Sequence, residues 1–336
     1  MKNAGEDFKN LLEKIEMDDL SKLDFRVQAK DLVMKENGLI VRKGKETREG
    51  LLLSEHAATQ FLNRYDIPVK EGKMIARKDP EMFRQIFNDV VNEDDRGILI
   101  RARKTDKGYG IVRAVLSEDY SILNNKRIIE TLERHVHENS FSGVESFYID
   151  DRRFHARFTF DVSTTAFGRD VYGDDDLIKC GLDIINSETG NSSLRIEPMI
   201  FRLVCSNGLK AWRTDGDIIQ QRHIFIDNDE LDKLVVNGIN TSLEKSNNII
   251  NTFEDAKKIQ IEDPVADIIR LSEYANFSKK LTDSVIKNYF IEPMKNRYGV
   301  VNAFTRGARD LNNHQRLQVE EFAGRLLVDE EIYEVA

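Results

Sequence analysis

The stretch NSETGNSSLRIEPMIFRLVCSNGLKAW, Asn186 to Trp212, decides the fold. It places a polar, glycine-containing turn, Ser187 to Asn191, between two strands, and the second strand, Met199 to Cys205, ends in Ser206-Asn207-Gly208. Asn and Gly tolerate positive φ, which other residues adopt only at a steric cost, so both polar segments read as hairpin turns. Hairpins imply antiparallel neighbours in a sheet. The second strand also carries Arg202 and Cys205 to its turn, with Lys210 and Arg213 just beyond. That end is either a tight structural turn or a site.

Working outward, Ile98–Arg103 and Tyr109–Leu116 flank Lys104-Thr105-Asp106-Lys107-Gly108, another hairpin signature. Ser146–Asp150, Phe154–Phe160, Ile178–Asn186, Ser193–Cys205 and Gln221–Ile226 have strand composition. Residues 25–33 and 38–42 read as a strand pair about Asn37-Gly38, and Ser163–Asp176 reads as a polar loop. Phe8, Leu11, Leu12 and Ile15 share one face of a helix over 6–20. Ser54 caps a helix to Tyr65 that stops before Pro68, Asp79-Pro80 opens one to Asn92, and a further helix covers 125–137. From Asp229 the periodicity is helical, near 229–250, 253–275, 279–291, 297–310 and 313–328, with Pro264 beginning a new helix. Hairpins followed by helices predict an α+β fold: an antiparallel or mixed sheet built from hairpins, then a C-terminal helical region. The expected organisation is an N-terminal helix and hairpin over 1–50, a strand-rich α+β core over 51–227, and helices packed on that core over 228–336.

The chain has 336 residues, enough for a sizeable core, and no apolar run of about 18 residues that would span a bilayer. Its acidic start lacks the apolar core of a leader peptide, so a cytoplasmic protein is expected. Cys180 and Cys205 have no CxxC spacing and read as reduced thiols. The net charge of −9 argues against a polybasic nucleic-acid coat, yet the charge is uneven. Arg96, Arg101, Arg103, Lys104, Lys107 and Arg113 face only Asp106 in their segment.

Four blocks, taken in order, now matter together: Leu53–Pro68, Ile111–Leu132, Asn186–Leu209 and Asn296–Leu327. Within them stand Arg113-Ala114-Val115-Leu116-Ser117 followed by Tyr120, the turn Asn186-Ser187-Glu188-Thr189-Gly190, the strand end Cys205-Ser206-Asn207-Gly208, and Asn302-Ala303-Phe304-Thr305. This series resembles the phage- and plasmid-associated family known as domain of unknown function 932. The resemblance implies a mobile-element context, beside genes of recombination or replication, and no particular chemistry.

Three basic constellations are candidates for nucleic acid. Arg101, Arg103, Lys104, Lys107 and Arg113 form the first, with Tyr109 and Tyr120 near enough to stack a base. Arg153, His155 and Arg157 share one face of a strand whose other face carries Phe154 and Phe158. Arg202 and Lys210 belong to the third. Each is equally readable as a solvated or acid-paired strand face. Asn186, Glu188, Gly190, Cys205, Asn207 and Gly208 mark the two motif turns. Cys205 reads as a structural thiol, since no neighbouring base is evident in the sequence.

No metal or cofactor motif is present: His135 and His137 do not share a helix face, and Asp174-Asp175-Asp176 reads as a solvated loop. The expectation is therefore a mobile-element protein that binds nucleic acid, single-stranded by preference, through a basic sheet face, and assists recombination, annealing or replication. An acidic protein that captures a host or phage protein is the alternative, and a nucleic-acid or nucleotide-processing enzyme the third. No membrane partner is expected, and a homo-oligomer is left open. In the late helix, Asn302 is expected to be buried and bonded to backbone.

Overall fold

Along one strand Leu99, Arg101 and Arg103 alternate with Ile98, Ile100 and Ala102, and this alternation sets the two faces of the first sheet. The computed structural model describes residues 4–44, 50–107, 109–136, 141–160, 165–169, 175–202, 207–209, 219–224, 226–329 and 331–335. Helix α1 (Ala4–Ser21) runs directly into β1 (Lys22–Gln28). Then come β2 (Leu32–Met34), β3 (Ile40–Arg42), β4 (Leu51–Leu53), α2 (Glu55–Arg64), α3 (Val69–Lys78), α4 (Pro80–Asn92), β5 (Gly97–Lys104) and β6 (Gly110–Ser117). They form a six-stranded sheet in the order β1-β5-β6-β4-β3-β2, antiparallel except for β4 with β6. Segment 22–53 thus shares a sheet with β5 and β6.

Helices α2 and α4 cover one face of this sheet, where Phe61, Phe83 and Phe87 pack on Ile98, Ile100 and Val112. A bulge separates the faces further along: Arg101 pairs with Ala114 but Ala102 pairs with Val112. Arg113 is the extra residue. As a result Val112 and Val115 join the helix-covered core while Ala114 and Leu116 join Leu99 and Tyr120 on the other side.

The second sheet is built after α5 (Asn125–Val136). Its strands are β7 (Phe141–Ile149), β8 (Phe154–Phe160), β9 (Thr165–Arg169), β10 (Asp175–Asn186), β11 (Leu194–Arg202), β12 (Asn207–Leu209) and β13 (Ile219–Gln221). The order is β12-β11-β10-β8-β7, with β13 on β11 and β9 on β10, all antiparallel. Phe154, Phe158, Leu182, Ile184 and Ile196 point to one face, which α1, α5 and α6 (Asn228–Lys258) cover through Leu11, Ile15, Ile128, Leu132, Leu231 and Val235.

The remaining helices are α7 (Pro264–Tyr274), α8 (Lys279–Tyr289), α9 (Arg297–Gly307), α10 (Asn313–Val328) and α11 (Glu331–Val335). With the end of α6 they make a core of their own around Leu271, Val285, Tyr298, Val301, Phe304 and Leu326. The α+β class holds, with mostly antiparallel sheets first and a helical region after them.

Several elements differ from the sequence reading. Residues 25–33 do not pair with 38–42 as one hairpin: β1 pairs with β5, and the short β2 pairs with β3 about Gly38. Helix α3 was not expected, because Pro68 reads as a stop. It is instead the residue before α3, where the missing N–H costs nothing. The expected polar loop 163–176 contains β9 and the start of β10, with 163, 164 and 170–174 outside the described residues. The helix expected over 279–291 ends at Tyr289, and Phe290 and Ile291 just beyond it are 64% and 50% exposed.

Candidate functional site

The turn between β10 and β11 inserts into the face of the first sheet opposite α2 and α4. Asn186, Ser187, Glu188 and Thr189 are all buried there. Gly190 has φ +74, and a Cβ on it would lie 2.7 Å from the Leu116 side chain, so glycine meets both the twist and the close approach. The Glu188 carboxylate accepts from Lys22 Nζ at 2.7 Å, from an Arg113 guanidinium N at 3.2 Å, and from the Asn125 backbone N–H at 2.8 Å. That last bond caps the start of α5, where the helix leaves N–H groups unpaired. Arg101, with 0% exposure, donates to the Glu188 carbonyl at 2.7 Å and to Asp24 at 2.7 Å. Burial opposes the charge on Glu188, but Lys22, Arg101 and Arg113 outweigh it and hold the carboxyl below its ordinary range.

The same turn fixes its surroundings. Tyr120 Oη donates to the Ser187 carbonyl at 3.0 Å and also touches His223 Nδ1. A carbonyl only accepts, so His223 gives its Nδ1 proton to Tyr120 and keeps a bare Nε2. Burial and the nearby Arg101 push the His223 imidazole down to about 4, so it is neutral near pH 7. Gln60 Nε2 donates to the Thr189 carbonyl at 2.8 Å, and His56 Nε2 lies 3.0 Å from that oxygen, which ties down the start of α2. Ser187 and Thr189 hydroxyls donate to the carbonyls of Arg152 and Asp151, at 2.6 and 3.0 Å, and hold the turn between β7 and β8.

Clamping these two elements together gathers cations at the surface. Glu55, exposed at the start of α2, is paired with Lys73 at 3.1 Å and also feels Arg152 and Arg77. Asp151 next door pairs with Arg103 at 2.8 Å and lies 3.8 Å from Arg113. Four cations from α3, β5 and the β7–β8 turn thus stand near two carboxylates, and the buried Arg113 reaches Asp151 from the interior. Arg77 and Arg152 are exposed.

The second basic strand is placed differently from the expected exposed face. Every residue of β8 is buried. Arg157 NH1 donates to Glu320 of α10 at 3.1 Å, its Nε lies 3.6 Å from Asp183, and His155 bonds Asp183. The helical region covers this face and brings a carboxylate from a residue 163 positions away, a partner no local pattern reveals. Burial works against the charge of Glu320, and Arg157 and Arg316 still keep the carboxyl low.

Of the first constellation, Arg101 and Arg113 are therefore buried and engaged, and Tyr120 is too enclosed to stack a base. Arg103 is half-buried, while Lys104 and Lys107 are exposed at the hairpin tip. Arg153 is half-buried, its backbone N–H bonded to Asp150. Arg202, Asn207 and Gly208 are strand residues, Arg202 pairing with Asn207, and their side chains are not described. Cys205 and Lys210 lie outside the described residues. Asn186 donates to the Leu123 carbonyl and to Asn125. Asn302 is buried as expected, but it donates to the Glu292 carboxylate at 3.0 Å rather than to backbone. Among the described residues no group of three or more His, Cys, Asp or Glu could hold a metal ion. Among them too, no helix is long and apolar enough to cross a membrane.

Lys22, Asp24, Lys73, Arg77 and Asp151 escaped the sequence reading, because nothing local marks them. Tyr120, His56 and Gln60 stood inside the four blocks and were legible only as motif members.

An α+β protein with a buried carboxylate hub under a cationic rim is the class these features define. The chain belongs to the family described as Domain of unknown function (DUF932), whose model matches residues 112–308. No curated protein and no solved structure matches it.

Proposed function

We propose that this chain binds nucleic acid, single-stranded by preference, in the bacterial cytoplasm, as a mobile-element protein that assists recombination, annealing or replication. The contact surface is the rim around Glu55 and not the sheet face of Arg101, Arg113 and Arg157. The observation that supports the reading is the pairing of Lys73 with Glu55 at 3.1 Å beside a helix start, with the exposed Arg77 and Arg152 close enough to act on the same carboxylate. A helix start and clustered cations both favour phosphate. The acidic total charge is compatible with this, because a local field is what a strand meets. The turn 186–190 serves the surface by holding both of its sides in place.

The test is the salt dependence of oligonucleotide binding. Arg77→Ala with Arg152→Ala should weaken binding and flatten the slope of log affinity against log salt by about 0.7 per lost phosphate contact. Absence of binding to any single or double strand at about 50 mM salt overturns the reading, since phosphate contacts are strong there.

A further inference from the structure

Between the first sheet and helices α2 and α4 lies a cavity of about 590 Å³. Protein interiors pack like organic crystals and rarely leave a void larger than a water molecule. A space of this size falls within the range of small-molecule sites. Its walls are apolar: Phe61 and Phe87 from the helices face Ile100 and Val112 from the sheet. Among the described residues no Asp or Glu lines it. The cations that line it, Arg42 and Lys104, are both exposed, so they stand where the space meets solvent. Among the described residues no carboxylate pairs with Lys104, and Arg42 lies over the Phe25 ring at 4.4 Å. Tyr109 and Thr105 add hydroxyls to the same lining.

We propose that this cavity binds a long-chain carboxylate, with the chain inside and the anionic head at Lys104 and Arg42. Water inside such walls finds few partners, whereas a hydrocarbon chain restores the missing contacts. The head stays at the rim because an anion buried away from water is costly unless paired. Lys104 and Arg42 supply that pairing without burial. The site is separate from the cationic rim around Glu55 and does not depend on it.

The experiment is a titration of the full-length protein with octanoate, decanoate, dodecanoate and dodecanol below their aggregation limits, followed by displacement of a fluorescent fatty acid. Affinity should rise about fourfold per added methylene until the cavity is full. Dodecanoate should bind at least tenfold tighter than dodecanol. Lys104→Glu with Arg42→Glu, both at exposed positions, should erase that preference while leaving dodecanol binding unchanged. Val112→Phe, which narrows the cavity, should weaken dodecanoate more than octanoate, with circular dichroism confirming the fold. No saturable binding of dodecanoate overturns the proposal. So does equal affinity for dodecanol and dodecanoate, or an affinity that does not change with chain length.

Discussion

Glu188 and Arg113 meet at 3.2 Å with side chains 1% and 3% exposed, one from the β10–β11 turn of the second sheet and one from β6 of the first. The bulge in β6 makes the meeting geometrically available, because it turns Arg113 to the side where the turn arrives. A buried ion pair adds little net stability over an apolar pair, but losing one partner strands the other. Glu188→Ala would leave Lys22, Arg113 and the Asn125 N–H without their shared carboxylate. It should cost about 3–5 kcal/mol in the denaturant unfolding free energy.

Buried groups also set the pH response. The His223 imidazole titrates at about 4 in the folded chain against 6.5 for an ordinary histidine. The unfolded chain therefore takes up a proton first as pH falls. Stability from this group is complete above 6.5, declines between 6.5 and about 4, and is level below that. His223→Gln should remove this slope, which denaturant midpoints across the same interval will show.

Glu188 works in a more acidic window. Its folded carboxyl titrates below the ordinary value of 4.5, so its contribution is full above that value and is lost as pH falls through the folded one. The stability gap between the parent chain and Glu188→Gln should therefore be largest at neutral pH. It should narrow in acid, and a gap that stays constant down to the acid transition counts against the assignment.

Arg101→Ala separates structure from nucleic-acid contact. Its guanidinium is spent on Asp24, Asn124 and the Glu188 carbonyl. The variant should lose about 3–5 kcal/mol of stability while any folded fraction keeps the parent salt slope. Arg77→Ala should do the reverse.

Asn302→Ala removes a donor from the buried Glu292, which also sits 3.0 Å from Arg306. The expected cost is about 1–3 kcal/mol. An unchanged denaturant midpoint would show that the bond contributes nothing.

The hairpins, the helix over 80–92 with Asp79 as its cap, and the α+β class were legible because their signals are local: alternation, turn chemistry and capping. The fate of Arg101 and Arg157 was not. Alternation places both on a strand face, but only tertiary partners decide whether that face meets water. Those partners, Glu188 and Glu320, lie 87 and 163 positions away. Helix α3, and with it Lys73 and Arg77, was hidden by the ambiguity of Pro68, which suits a helix start as well as a stop.

Helix α6 runs without interruption over 31 residues, about 46 Å of rod. Leu231, Val235 and Ile239 at one end are seated in the second sheet's core, and Phe253 and Ala256 at the other in the helical core. Neither body can melt without stripping contacts from an element the other needs. The rod therefore couples them as a shared beam couples two floors, and calorimetry should record one joint transition for sheet and helices instead of two.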